Sequence, residues 1–131
     1  MTQHALWQLF RSRYGLVADP HFALQSYRSD SQQDGQLRLT ASVRTQRATR
    51  QLEGQGNGLL SAAASGLSRW ITTPFVIKDY HEHTLGERSD SRSVAYIRCL
   101  FQDGSSRWGV GIDSDVARAS LQALFNAVSC L

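Results

Sequence analysis

Two hydrophobic periodicities alternate along this chain and predict strands and helices in a fixed order. Residues 37–44 alternate apolar and polar side chains, the period-2 pattern of a strand with one buried face. Residues 22–28 and 47–53 are predicted to be strands on either side of it. From residue 59 to residue 70, apolar and small side chains recur at helical spacing. The first half is therefore predicted to fold as strand, strand, strand, helix.

The second half repeats this order. Strands are predicted at residues 75–83, 94–102 and 107–112, and Asp103-Gly104 is a typical hairpin turn. The final predicted helix is capped by Ser114 or Asp115. Its apolar stripe comprises Val116, Ser120, Ala123, Leu124, Ala127 and Leu131.

The repeated order predicts an internal duplication. A shift of 55 residues superimposes Leu39 on Val94, Ala41 on Tyr96, Gly54 on Gly109 and Gly56 on Gly111. Each unit has one apolar sheet face and one apolar helix stripe, which favours an α+β fold of two βββα units in two layers. A unit of about 50 residues is marginal by itself, so the two units are expected to fold together.

Domain organisation follows from this order. Residues 1–18 contain a short amphipathic pattern, predicted to be a helix that precedes the two units. Residues 19–73 and 74–131 are the two predicted βββα units of one domain.

Composition narrows the class of protein. The 131 residues are 41% hydrophobic and 19% charged, which excludes collagen-like and generally disordered chains. No apolar run reaches membrane-spanning length, and no secretory signal is visible, so a cytoplasmic location without membrane partners is expected. Cys99 and Cys130 lack the spacing of a zinc site or a disulfide framework and are expected to be reduced and buried.

The net charge of +3 raises the alternative of a small nucleic-acid-binding module. Of the 14 basic residues, 13 are arginine, and the densest group is Arg44, Arg47 and Arg50. Because the arginines are otherwise dispersed and no single-strand-binding aromatic signature accompanies them, a solvated hairpin is favoured and no nucleic-acid partner is expected.

The segment Gly54-Gln55-Gly56-Asn57-Gly58 precedes a predicted helix. It lacks the Lys-Ser/Thr ending of a nucleotide-binding P-loop. Its glycines could let the backbone approach a ligand closely, with helix N-terminal amides suited to a carboxylate, or they could simply turn a strand into a helix. At Gly58, a close approach to the backbone or a positive φ is expected, and either would require glycine.

The sequence His81-Glu82-His83 raises a second possibility, a metal site or a small metal hydrolase, because side chains at i and i+2 of a strand share a face. No third ligand can be named from the sequence, and no nucleophile elbow is present. Polar or interface histidines are therefore favoured, and no metal or catalytic residue is assigned.

Several motifs occur in an order that resembles one family. These are Gly56-Asn57-Gly58 before an alanine-rich helix, Asp79-Tyr80-His81-Glu82-His83, Val94-Ala95-Tyr96, Trp108-Gly109-Val110-Gly111-Ile112-Asp113 and Ala119-Ser120-Leu121. Together they resemble the C-terminal allosteric domain of the 2-isopropylmalate synthases. Leu6-Trp7-Gln8-Leu9-Phe10 and Tyr14 resemble the linker helix before that domain.

The resemblance implies two βββα units that form a homodimer and bind L-leucine, which inhibits a catalytic domain elsewhere in the same chain. That domain condenses acetyl-CoA with 2-oxoisovalerate and holds a divalent metal. None of it is visible in this sequence, so the chain by itself is expected to be inactive and to need no cofactor. The leucine-binding residues implied are Gly56, Asn57, Gly58, Leu60, Ser61, Ile77, Tyr80, Thr84, Ser91, Ser93 and Val116.

Ligand preference stays open at this point. The family commonly has proline where Leu59 stands, and small apolar residues where Thr84, Ser91 and Ser93 stand. Related domains of citramalate synthases bind isoleucine, and a shift of one methyl group changes binding by only about 1 to 3 kcal/mol.

Overall fold

A computed structural model describes residues 22–46, 48–86 and 91–128. The predicted linker helix lies outside these residues, as do Cys130 and Leu131. Within the described ranges, no helix is long and apolar enough to cross a membrane.

The described chain contains six strands and two helices in the predicted order. The strands are β1 (Ala23–Ser31), β2 (Leu37–Arg44), β3 (Thr49–Gly56), β4 (Phe75–Leu85), β5 (Arg92–Phe101) and β6 (Ser106–Asp113), and the helices are α1 (Leu59–Leu67) and α2 (Val116–Val128). Two antiparallel sheets form, with orders β1-β2-β3 and β4-β5-β6. The predicted α+β fold of two βββα units in two layers is confirmed.

Helix α1 ends earlier than its sequence pattern predicts. The Ser68 and Trp70 amides donate to Ala64 and Leu67 in a closing turn, and the predicted helical face had extended to Trp70. The Trp70 ring instead packs edge-on against Phe22, with ring centroids 5.7 Å apart. A tertiary contact therefore explains why Trp70 continues the apolar pattern beyond the helix.

Glycines bring each third strand against its helix. A Cβ at Gly54 would stand 1.9 Å from the Ala62 carbonyl oxygen, and one at Gly111 would stand 2.0 Å from that of Ala119. The predicted close packing at Gly109 and Gly111 is confirmed. Gly54 and Gly56 belong to β3, so only Asn57 and Gly58 form the turn into α1.

The duplication is real at the level of elements, but its predicted residue offset is wrong. The third strands and the helices of the two units begin 57 residues apart, at Thr49 and Ser106 and at Leu59 and Val116. In the central strands, the helix-facing residues Leu39, Ala41 and Val43 correspond to Ala95, Ile97 and Cys99. Val94 and Tyr96 face the other way. In the central strands the predicted offset is one residue too short, and an error of one residue superimposes opposite faces of a strand, because the side-chain period is two.

Both units share one apolar core, which includes Leu39 and Leu52 from the first unit and Ile97 and Leu124 from the second. The Gln122 side chain joins the units at the edge of β1. Its Oε1 atom accepts a hydrogen bond from the Leu24 amide at 2.8 Å, and its Nε2 atom donates to the Phe22 carbonyl oxygen at 2.9 Å. Helix α2 is therefore tied to both halves, which supports the expectation that they fold together.

The second sheet is apolar on its outer face as well. Val94 and Tyr96 are fully buried there. They form what we call the outer apolar cluster, together with Leu85, Trp108, Val110 and Ile112.

Candidate functional site

An open cleft of about 430 Å³ lies where the start of α1, the middle of β4 and the start of α2 meet. Its volume falls in the range of small-molecule sites, about 300 to 1,000 Å³. One wall comes from the first unit and two from the second. The lining residues are Gly58, Leu59, Leu60, Ser61, Tyr80, Glu82, Val116, Ala117 and Ser120.

The start of α1 is open toward the cleft. Gly58 is the N-cap residue and is fully extended, with φ −157° and ψ −177°, and a Cβ there would meet no atom within 4 Å. The Ser61 Oγ atom accepts a hydrogen bond from the Gly58 amide at 3.0 Å and donates one to the Gly58 carbonyl oxygen at 3.1 Å. Because Gly58 has no side chain, it cannot cap the first-turn amides of α1 with a side-chain oxygen. Such a helix start favours an anion.

The start of α2 is different because a carboxylate already caps it. The Asp115 Oδ1 atom accepts from the Ala117 amide at 3.0 Å, and its Oδ2 atom accepts from the Tyr27 hydroxyl at 3.0 Å. Burial, and then the bond to Asp115, raise the pKa of Tyr27, so this hydroxyl keeps its proton near neutral pH. An incoming carboxylate is therefore disfavoured at α2 and favoured at α1.

Tyr80 links β4 to α2 inside the cleft. Its hydroxyl lies 2.6 Å from the Glu82 Oε2 atom and 2.7 Å from the Ser120 Oγ atom. An ionised carboxylate only accepts, so the phenol donates to Glu82 and accepts from Ser120. Burial, and then the bond to Glu82, raise the pKa of Tyr80, and the Ser120 hydroxyl opposes that rise. Tyr80 is therefore a protonated donor at neutral pH.

A β-bulge sets which β4 side chains face the helices. The pairing with β5 shifts between Ile77 and Asp79, leaving Lys78 as the extra residue. Ile77 pairs with Cys99, and Tyr80 pairs with Ile97, so both lie on the helix side of the sheet although they are three residues apart. Without the bulge, strict alternation would place them on opposite faces.

Five of the residues implied by the resemblance line the cleft: Gly58, Leu60, Ser61, Tyr80 and Val116. The other six are not among its lining. Ile77 packs against the core, and Gly56 lies beneath Ser61 and Ala62 at the end of β3. The remaining four are Asn57 in the turn before α1, Thr84 near the end of β4, Ser91 just before β5 and Ser93 near the start of β5.

Four lining residues were missed by sequence reasoning: Leu59, Glu82, Ala117 and Ser120. Glu82 stands two residues after Tyr80, so alternation could have placed it on the same face and separated it from its histidine neighbours. Ser120 lies four residues after Val116 on the predicted helix stripe, and this spacing could have placed it beside the cleft.

The two histidines lie on the outer face of the second sheet, away from the cleft. His81 stacks on Trp108 with ring centroids 6.2 Å apart, and His83 lies 5.4 Å from the Tyr96 ring. In the described part of the chain, no group of three or more His, Cys, Asp and Glu side chains is placed to hold a metal ion. Aromatic contacts account for both positions.

Several arginines contact other groups within the chain. Arg50 lies over the Trp70 ring, 4.2 Å from its centroid. Arg98 and Arg118 are paired with Asp79 and Asp113. These three arginines lie on different elements and contact groups of the chain itself. Such an arrangement does not favour the alternative of a nucleic-acid-binding module, which needs a continuous basic face.

Comparison with known proteins agrees with the geometry. The profile of the LeuA allosteric (dimerisation) domain matches residues 1–131. A 2-isopropylmalate synthase of Marinomonas sp. (strain MWYL1) is 41% identical over 124 residues, covering 93% of this chain and 22% of that protein. One from Thermobifida fusca (strain YX) is 35% identical over 124 residues, covering 95% and 21%.

A third relative, the 2-isopropylmalate synthase of Rhodospirillum rubrum, is 34% identical over 132 residues, covering 100% of this chain and 24% of that protein. The chain thus spans less than a quarter of the length of these relatives. Both the match over the whole chain and the two βββα units lead to the same conclusion: the chain belongs to the LeuA allosteric (dimerisation) domain family.

Proposed function

We propose that this chain is the regulatory domain of a 2-isopropylmalate synthase and that it binds L-leucine in the cleft as a feedback inhibitor. One observation carries the proposal: the cleft combines an open helix start with an apolar wall at the junction of the two units. A small amphiphilic acid needs both features, a donor group for its carboxylate and a dry surface for its side chain.

The leucine carboxylate would lie at the first-turn amides of α1, beside Gly58. Its isobutyl group would lie between Leu60, Val116 and the Tyr80 ring, which all line the cleft. Val116 and Tyr80 are 44% and 39% exposed, so a ligand there would remove apolar surface from water. Each methylene group buried in this way is worth about 0.8 kcal/mol.

Regulation follows from the position of the cleft. The ligand would touch α1 of the first unit and β4 and α2 of the second, so it would stabilise one relative placement of these elements. An effector changes a distant activity only if it binds two states of the protein with different affinities. In this proposal, the distant activity is the condensation of acetyl-CoA with 2-oxoisovalerate in a catalytic domain of the same protein.

The proposal includes a homodimer, which the dimerisation family supports. It assigns the divalent metal and the acyltransfer chemistry to the catalytic domain. The 131-residue chain by itself is therefore expected to release no thiol from acetyl-CoA in the presence of 2-oxoisovalerate.

Calorimetric titration of the chain with leucine, isoleucine and valine tests the proposal. Leucine is expected to bind most tightly, at one site per chain. Tighter binding of isoleucine would instead favour regulation of a citramalate synthase. Failure of all three amino acids to bind would overturn the assignment of the cleft as an effector site.

A further inference from the structure

Glu82 is the only charged residue among those that line the cleft in the described part of the chain. A free amino acid carries an ammonium group beside its carboxylate, and an ammonium entering a protein cleft favours an anionic partner. We propose that the Glu82 carboxylate binds the ammonium group of the effector and so makes the cleft selective for α-amino acids. This inference rests on the proposed function and names the residue that recognises the amino group.

The hydrogen bonds around Glu82 hold its carboxylate in place. Its Oε2 atom accepts from the Tyr80 hydroxyl at 2.6 Å, and that hydroxyl is anchored to Ser120 at 2.7 Å. Ser120 is only 5% exposed, and its Oγ atom also lies 2.9 Å from the Val116 carbonyl oxygen, so its single proton is shared between that oxygen and the Tyr80 hydroxyl oxygen. A carboxylate has about four acceptor positions, so the bond from Tyr80 is compatible with one from an ammonium group.

The charges on the two sides of the cleft match the two charges of an amino acid. The start of α1 offers partial positive charge at Gly58, and Glu82 offers negative charge on β4. Asp115 occupies the other helix start. An amino acid carries both charged groups on one carbon, and Gly58 and Glu82 line the same cleft, so in this proposal one small ligand would meet both.

This arrangement would separate effectors from substrates of related shape. A 2-oxo acid of the same carbon skeleton keeps the carboxylate and the side chain but has a carbonyl oxygen in place of the ammonium group. That oxygen is an acceptor and would face another acceptor at Glu82. The cleft would therefore reject the oxo acids on which a condensing enzyme of this class acts.

The test compares three ligands on the same 131-residue chain: L-leucine, 4-methyl-2-oxopentanoate and 4-methylpentanoate. The last two lack the ammonium group. The variant is Glu82→Gln, and its matched control is Glu53→Gln, which makes the same charge change at an exposed β3 residue outside the cleft. Circular dichroism checks that each variant is folded.

The wild-type chain is expected to bind leucine at least about tenfold more tightly than either acid. Glu82→Gln is expected to weaken leucine about tenfold and to leave 4-methylpentanoate within about twofold, whereas Glu53→Gln changes neither. Tyr80→Phe, which removes the hydrogen bond from the Tyr80 hydroxyl to Glu82, is expected to weaken leucine binding by about threefold and to spare 4-methylpentanoate.

Three results would overturn the inference while leaving the proposed function in place. The first is equal binding of leucine and 4-methylpentanoate by the wild-type chain, a result that needs no variant. The second is unchanged leucine binding by folded Glu82→Gln. The third is an equal loss of both ligands in that variant, which would indicate a general role in cleft shape. If the wild-type chain binds no leucine, the proposed function itself is wrong.

Discussion

At the residue scale, Gly58 matters for the side chain it lacks rather than for its backbone angles. The expected need for a positive φ is wrong, since its φ of −157° is extended and open to any residue. No atom lies within 4 Å of a Cβ built there. The space in front of Gly58 is part of the cleft. A close approach to the Gly58 backbone would therefore be made by a ligand and not by another segment of the chain.

Gly58→Val is therefore expected to fold normally and to lose leucine binding by at least about tenfold, because its methyl groups would occupy the place of the carboxylate. Calorimetry measures the affinity, and circular dichroism measures the fold. Gln55→Val places the same side chain on an exposed position of β3 and is the control. Native leucine affinity in folded Gly58→Val would show that the start of α1 is not the carboxylate site.

Two buried ionisable side chains on β5 make the free energy of unfolding depend on pH in the alkaline range. Burial raises the pKa of Cys99 from 9.0 to about 12 and that of Tyr96 from 10.0 to about 12. The unfolded chain therefore loses these protons before the folded chain does. The stability they contribute is complete below about pH 9 and is lost as the pH rises through 12.

The free energy of unfolding is expected to fall between pH 9 and 12, with Cys99 accounting for about 2 kcal/mol of the loss by pH 11. Urea titrations at a series of pH values measure it. Cys99→Val keeps an apolar side chain of similar size and is expected to flatten this decline. An equally steep decline in that variant would mean that Cys99 does not cause it.

At the scale of elements, the contact between the third strand and the helix recurs with the same spacing in both units. Gly54 meets Ala62 and Gly66 in the first unit, as Gly111 meets Ala119 and Ala123 in the second. Each glycine stands eight residues before the first of its helix partners. Backbone approach this close leaves no room for a side chain on the strand, so the glycines set the distance between helix and sheet.

Gly54→Ala is expected to lower the free energy of unfolding by at least about 2 kcal/mol, because its Cβ would overlap the Ala62 carbonyl oxygen. Gly58→Ala, which meets open space, is expected to change stability by less than about 1 kcal/mol. Urea denaturation of the two variants compares them directly. Similar stabilities would contradict the packing described.

At the scale of the whole molecule, the outer faces of the two sheets differ in polarity. The first sheet presents Arg38, Thr40 and Ser42 from its central strand, opposite the core-facing leucine, alanine and valine. The second sheet presents the outer apolar cluster, with Trp108, Val110 and Ile112 only partly buried. In a dimerisation family, the apolar face is the better candidate for the contact with a second copy.

Light scattering at micromolar concentration is expected to give twice the chain mass of 14.6 kDa. Val110→Lys is expected to shift the protein toward the monomer, because it would bury a charge in the outer apolar cluster. Ser42→Lys on the first sheet is the control. A monomer mass for the wild-type chain would contradict the dimer, and a dimeric Val110→Lys variant would exclude this face.

Local pattern determined the elements of this protein. Alternation at residues 37–44 and helical spacing from Leu59 and Val116 predict β2 and the starts of α1 and α2, and the structure has all three there. Such patterns work because burial on one side of a strand or helix repeats with the period of that element. Local patterns could not give the residue offset between the two units, because that offset depends on which face of each strand packs against a helix.

Only the tertiary structure decided the composition of the cleft. The bulge at Lys78 places Ile77 and Tyr80 on one face, and packing of α2 on the second sheet brings Ser120 to Tyr80 from 40 residues away. Glu82 also lines the cleft, although in the sequence it stands between two histidines that raise the possibility of a metal site. The physical reason is the same in each case: register shifts and helix docking are settled by contacts between distant segments, which leave no periodic trace in the sequence.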